Sequence, residues 1–387
     1  MEFPNKISVS CGTKFHSDYL ADQLHQRGLL NQVITAHLPQ KYLGRTALPR
    51  KKVLFLPPFF TLNVLLSRYL KLKNRRLLRW VDVFSIYCFD AVASLLGRKS
   101  SIYIGWAWSS LWQMQKAKRQ NSLLILEKCG SYGYYQRDLL QAEYQRLNLA
   151  FEDPSPEILL RREARECALA DYILCPSQHV AQSLLNYGYP SHKLIINPYG
   201  ANLDRFHPVP KTDKVFRVVC VGTIGVRKGS IYLLEAIKNL QEQGIPVECL
   251  LIGSVEKAFE GHFSAYRSRV QYLPRVEQAE LKYHYSQGSV FVLPSLDEGM
   301  AYVQLEAMAC GLPLICTKNS GGESIVEEGQ NGFVIEAHSV EAIVEKLLLL
   351  YSQPQLILKM RSSALEKIKS FTWDAYGERL VEALKKV

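Results

Sequence analysis

The chain has 387 residues, 48% of them hydrophobic and 21% charged, at a mean hydropathy of −0.07. That excludes one small core and fits two soluble domains of ordinary size. Nine cysteines stand singly without a CxxC pair, which excludes a disulfide framework and reads as reduced, mostly buried thiols in a cytoplasmic protein. The net charge of +11 belongs to the first half: residues 1–200 hold 26 Lys and Arg against 14 Asp and Glu, the remainder 21 against 22. No nucleic-acid motif accompanies that charge, and no nucleic-acid partner is expected.

The opening MEFPNKISVS lacks the basic-then-apolar layout of a signal peptide, and no apolar run reaches the ~18 residues of a membrane span. Lys6 to Ser10 reads as a strand, Cys11-Gly12-Thr13-Lys14 as a loop, and the next segment as a helix ending near Gly28. That order opens a doubly wound α/β domain, although Gly12 fits a plain tight turn equally well. Lys41 to Arg79 holds 11 basic residues and no acidic one, interleaved with VLFLPPFFTLNVLL. Such a mix suits an anionic membrane surface as well as a solvated basic face, and Pro57 and Pro58 interrupt any continuous amphipathic helix.

Ser101 to Gly105 is a further strand, followed by Trp106, Trp108 and Trp112, which read either as core or as a stacking surface for a sugar or lipid. Leu123 to Glu127 is another strand. Its loop begins at Lys128, and Glu127 reads either as facing a ligand or as a buried structural group. Glu157 to Leu169 is helical, Tyr172 to Cys175 a strand, and a helix bounded by Gly188 and Pro190 follows. The turn formers after the strand Lys193 to Ile196 mark an interdomain linker, giving domains of 1–200 and 210–370. The second domain opens with strand Phe216 to Val221 and loop GTIGVRKG, then a helix to Leu240 and strands at Val247 to Ile252 and near Tyr272 to Val276. Phe371 to Lys386 closes the chain as an amphipathic helix.

Phe291 to Cys316, FVLPSLDEGMAYVQLEAMACGLPLIC, organises the second domain. It reads as strand, acidic loop, helix, turn at Gly311 and Pro313, and strand. A helix opening after Gly299 presents free backbone N–H groups at Gly299, Met300 and Ala301, suited to a phosphate. Glu298 sits at that mouth, and Glu306 eight positions on suits ribose hydroxyls.

PSLDEGMAYVQLEAMACGLP resembles the signature of the retaining glycosyltransferases of family four, in which Glu-x7-Glu binds a nucleotide-diphosphate sugar. NPYGANLDRFHP, from Asn197 to Pro208, resembles that family's linker, and Trp373 onward its closing helix. The resemblance implies the GT-B fold: two Rossmann-like domains facing across a cleft, donor on the second, acceptor on the first, and the last helix (371–387) crossing back to the first. It implies that Lys228 grips the donor diphosphate. The family's paired arginine is replaced by Thr223, leaving Arg227 as the nearest substitute. Glu298 would stabilise the sugar ring, Glu306 the ribose, and backbone near Arg275 and Val276 the base.

On the acceptor side Gly12, Thr13, His16, Trp106 and Glu127 are the candidates; Trp106-Ala107-Trp108 stands where many family members carry a histidine. No Asp-x-Asp pair or metal-spaced histidine cluster occurs, so a metal-independent reaction without a cofactor is expected. The implied activity is sugar transfer from a nucleoside-diphosphate sugar, UDP-linked by slight preference, to a saccharide or lipid-linked hydroxyl, at the inner face of the cell membrane. An epimerase or hydrolase on the same fold, and a non-catalytic basic module on a membrane surface, are the alternatives.

Overall fold

The computed structural model describes residues 6–12, 15–44, 46–57, 75–153 and 155–386. Among the described residues thirteen strands form two wholly parallel sheets. In the first, β1 (Ile7–Cys11), β2 (Leu30–Thr35), β3 (Val53–Phe55), β4 (Ile102–Trp106), β5 (Leu123–Glu127), β6 (Tyr172–Cys175) and β7 (Leu194–Ile196) lie in the order β3-β2-β1-β4-β5-β6-β7. In the second, β8 (Arg217–Val221), β9 (Glu248–Ile252), β10 (Gln271–Leu273), β11 (Val290–Leu293), β12 (Leu314–Thr317) and β13 (Gly332–Ile335) lie in the order β10-β9-β8-β11-β12-β13.

Parallel strands covered by helices on both faces must be apolar throughout, which is why ILE-, LEU- and VAL-rich runs such as LLIL and VFVL become strands. Val9 and Ile104, paired across β1 and β4, are fully buried, as are Val219 and Phe291 across β8 and β11. Each sheet winds outward from its first strand in both directions, so strand order reverses at β1/β4 and at β8/β11. Crevices open at the carboxyl ends of such reversal points. The loops brought there carry Gly12 and His16, Trp106, Thr223 to Lys228, and Glu298. The fold is the pair of facing Rossmann-like domains that the resemblance implies.

The closing helix Trp373–Leu384 does cross back. Thr372 caps it by accepting from Ala375 N at 3.1 Å. Its face packs on the helix Ser17–Gln26: Trp373 stacks on Tyr19 at 4.2 Å and 2°, and Arg27 bridges Asp374 at 2.8 Å. Arg379 Nη2 donates to Pro198 O at 2.8 Å, tying the helix to the linker.

One expectation needs correction. The helix after the acidic loop runs Tyr302–Ala309, so it opens at Tyr302 rather than directly after Gly299, with Ala301 still extended. The described parts of Lys41 to Arg79 are built into the fold. Val53–Phe55 is the edge strand β3, and Arg75 begins a 22-residue helix to Leu96; residues 58–74 lie outside the described residues. Helices Leu111–Arg119 and Gly133–Arg146 were not legible in the sequence; the second spreads its apolar side chains around its circumference. Among the described residues no helix is long and apolar enough to cross a membrane.

Candidate active site

After β8 the chain passes Gly222 and turns at Gly229, whose φ is 62°. A Cβ at Gly229 would lie 2.0 Å from Pro294 O, so only glycine lets this turn press against the end of β11. The turn delivers two cations to Glu298. Lys228 Nζ lies 2.5 Å and Arg227 Nη1 2.7 Å from Glu298 Oε1, and Arg227 also donates to Asp297 O at 2.9 Å. Burial works against the Arg227 charge, yet Glu298, Asp297 and Glu256 raise its pKa above the ordinary range. Thus Arg227 turns inward, whereas Thr223 is exposed. The two cations stand beside a 300 Å³ hollow lined by Tyr144, Glu152, Thr223, Arg227, Lys228 and Glu256, so carboxylates share this wall with them.

Glu306 faces a different hollow. This one, of 180 Å³, lies between the domains, lined by Tyr19 of the first helix, Arg205 of the linker, Gln278, Tyr302 and Trp373. Tyr285 OH donates to Glu306 Oε2 at 3.0 Å and Gln278 Nε2 to Oε1 at 3.3 Å. Burial raises its pKa above the usual carboxylate range, those two bonds and Arg205 pulling the other way. A carboxylate offers about four acceptor positions, so capacity remains for hydroxyls of a ligand. Arg275 is exposed and Val276 packs on the core, in the loop from β10 to Gln278.

Between these hollows the acidic loop forms the seam of the two domains. A Cβ on Gly299 would stand 1.7 Å from Cys129 O, and Ser177 Oγ donates to Gly299 O. Asp297 Oδ1 lies 2.8 Å from His179 Nε2, and Gln136 Nε2 donates to Oδ2 at 2.5 Å. Burial pushes Asp297 up, but His179, Ser131 and Gln136 hold its carboxyl below the usual range. Met300 Sδ accepts from Tyr199 N at 3.2 Å, and Met300 and Ala301 are buried. A diphosphate at this helix start therefore needs the domains to part at Gly299.

The acceptor-side candidates are interior here. His16 and Glu127 are each 1% exposed, with Nε2 and Oε1 3.1 Å apart, and Trp106 is buried, donating from Nε1 to Cys129 Sγ at 3.1 Å. The indole of Trp106 is thus inside the core, with His16 against it at 5.3 Å and Tyr199 and Trp373 packed in turn on His16. Gly12 is closely packed: a Cβ there would lie 3.1 Å from Ser109 Cβ, so a larger residue would need that neighbour to give by a few tenths of an ångström. Thr13 lies outside the described residues. Tyr285, Gln278 and Arg205 around Glu306, and His179 beside Asp297, escaped the sequence reading; they come from four segments that no spacing rule connects.

Residues 203–367 match the family model described as glycosyl transferases group 1. A D-inositol 3-phosphate glycosyltransferase from Thermobifida fusca is 25% identical over 271 residues, 63% of this chain and 62% of that protein. An uncharacterized glycosyltransferase from Haemophilus influenzae is 30% identical over 173 residues, 43% of this chain and 47% of that one. The chain thus spans about half to three fifths of the length of these relatives. In fold it is similar to Anabaena HepE, solved in complex with UDP, at a TM-score of 0.67, 13% identity, and 99% and 100% coverage. Residues 203–367, the part similar to the glycosyl transferases group 1, carry Lys228, Glu298 and Glu306.

Proposed function

We propose that the protein is a retaining glycosyltransferase that moves a sugar from a nucleoside-diphosphate sugar to an acceptor hydroxyl in glycolipid or polysaccharide synthesis. One observation carries this reading: Lys228 and Arg227 converge on Glu298 at the end of β8 and β11, while Glu306 of the helix that follows faces the interdomain hollow. Breaking a glycosyl–phosphate bond places negative charge on the leaving diphosphate and positive charge on the ring. Lys228 and Arg227, now paired with Glu298, would transfer to the diphosphate, and the freed carboxylate would face the ring. Retention then proceeds on one face of the sugar without an obligatory protein nucleophile.

In this reading Glu306 holds the ribose and the backbone at Arg275 and Val276 the base. The donor rests on the second domain and the acceptor enters from the first. UDP is the favoured nucleotide, in keeping with the UDP bound by HepE. The basic first half is suited to a lipid-linked acceptor at an anionic membrane surface on the cytoplasmic side.

A thermal-shift panel of UDP, GDP, ADP and their sugars, run with Glu306→Ala, tests this. A ligand at ~100 times its Kd adds roughly 2.7 kcal/mol, a rise of several degrees in a protein of this size. One base should stabilise the parent and lose most of that effect in Glu306→Ala. No shift with any nucleotide, together with binding to anionic vesicles, would replace the enzyme by a membrane-surface module; donor turnover without acceptor would replace transfer by hydrolysis or epimerisation.

A further inference from the structure

The interior His16–Glu127 pair has a third member. His16 Nε2, a Glu127 carboxylate oxygen and Cys129 Sγ all lie within 4.8 Å of one another. They come from two elements brought together at the strand-order reversal of the first sheet: His16 precedes the helix Ser17–Gln26, whereas Glu127 ends β5 and Cys129 follows it.

The close contacts are not those of a satisfied hydrogen-bond network. His16 Nε2 is 3.1 Å from Glu127 Oε1 but makes no aligned hydrogen bond, and Glu127 Oε2 is likewise buried without a partner. A cation held between these buried groups would take up the acceptor atoms left over. The adjacent cation, Lys128, is turned away onto Glu163. Around the sulfur, by contrast, an outer contact is in place: the Trp106 indole N–H donates to Cys129 Sγ at 3.1 Å. Such a donor steadies a thiolate ligand.

We propose that His16, Glu127 and Cys129 bind one Zn²⁺ at the interdomain seam, outside the sugar-transfer chemistry, these three ligands leaving the fourth position of the ion open. One nitrogen, one carboxylate oxygen and one sulfur form a mixed set that suits Zn²⁺ and is too soft for Mg²⁺ or Ca²⁺. A neutral imidazole, a carboxylate and a thiolate carry two negative charges, which the ion cancels. A thiol binds the ion as its thiolate, so binding releases the thiol proton. Ligand atoms of a tetrahedral zinc site stand roughly 3.3–3.8 Å apart; the His16 and Glu127 atoms, at 3.1 Å, would part slightly, and no pair needs to move by more than about 1–1.5 Å.

The consequence reaches the donor side. Cys129 O is the atom against which Gly299 packs, so an ion on Cys129 Sγ fixes the wall that the acidic loop closes upon. The inference stands on these residues and does not depend on the sugar-transfer reading.

The test uses chelator-treated full-length protein titrated with Co²⁺ as a spectroscopic stand-in, followed by displacement with Zn²⁺. One equivalent should bind, with a thiolate-to-cobalt charge-transfer band and the intense visible bands of a tetrahedral ion. Cys129→Ser should abolish the charge-transfer band and His16→Gln should weaken binding at least tenfold, while Cys220→Ser leaves both unchanged. Zn²⁺ should raise the melting temperature of the parent and not of Cys129→Ser. No charge-transfer band in the parent, or the same band in Cys129→Ser, overturns the site. Should Cys129→Ser fail to fold, zinc X-ray absorption on the parent decides: one sulfur in the shell supports the proposal, and none refutes it.

Discussion

The two domains spend their charges differently. In the first, Arg162 and Asp90 are 1% and 0% exposed, Glu166 lies 3.5 Å from the same guanidinium, and Lys128 and Glu163 are paired at 6% and 1% exposure. In the second, Lys228 and Glu298 keep 12% and 13% exposure and Arg227 keeps 40%. A fully buried pair cannot exchange partners without leaving a bare charge in a poor dielectric, so it holds structure. A pair at the edge of a hollow can trade its partner for a ligand at modest cost, so it is available for chemistry.

The largest effect expected from this contrast is on stability in the first domain. Arg162→Met removes the cation between Asp90 and Glu166 and should cost about 3–5 kcal/mol, lowering the melting temperature by roughly 10 °C. Nucleotide binding by the molecules that remain folded, measured by calorimetry, should be unchanged. An equal loss of nucleotide affinity would erase the distinction between the domains.

Lys228→Ala should do the reverse, reducing kcat by about 10²–10³-fold with little change in melting temperature. A donor-turnover assay beside a thermal melt reads both, and a large drop in stability with intact turnover would make Lys228 a structural residue.

A smaller effect lies in pH dependence. One guanidinium serves two carboxylates, and burial pushes Glu166 up to about 8 against the pull of Arg162 and the N–H groups of Ser110 and Trp108. The folded state thus keeps a proton that the unfolded chain releases near ~4.3. Stability from this group is complete below the unfolded value and declines as pH rises through the folded one. Denaturant melts should show a decline between about pH 4 and 8 that Glu166→Gln flattens.

The smallest effect expected is at the crossing helix. Thr372→Ala removes the cap and should cost about 1 kcal/mol. Because that helix covers both the first domain and the hollow at Glu306, hydrogen exchange should rise at Trp373 to Tyr376 and not in the second sheet.

The second domain was the more legible because its functional residues follow one another in the chain. Strand ends, Gly229, Lys228, Glu298 and Glu306 all sit in two short runs whose local order marks them as loop and helix positions at the carboxyl ends of β8 and β11. Glu157–Leu169 and Tyr172–Cys175 were equally plain in the first domain, each with clear periodicity and bounds. The helix Gly133–Arg146 was not, since its apolar residues show no single face. The sequence placed Glu298 and Glu306 together as donor carboxylates, whereas the tertiary structure opens Glu306 and the Lys228 cluster onto separate hollows with the Gly299 seam between them.

Local sequence determined the strands, the turns that require glycine and the loops at the carboxyl ends of β8 and β11, because each depends on residues within a few positions of one another. Tertiary structure alone decided that His16 meets Glu127, that Arg227 turns inward where Thr223 does not, and that Trp106 is core. Those outcomes depend on which distant segments cover a site, here Tyr199 and Trp373, and burial by a segment hundreds of residues away leaves no mark in the spacing of the residues it covers.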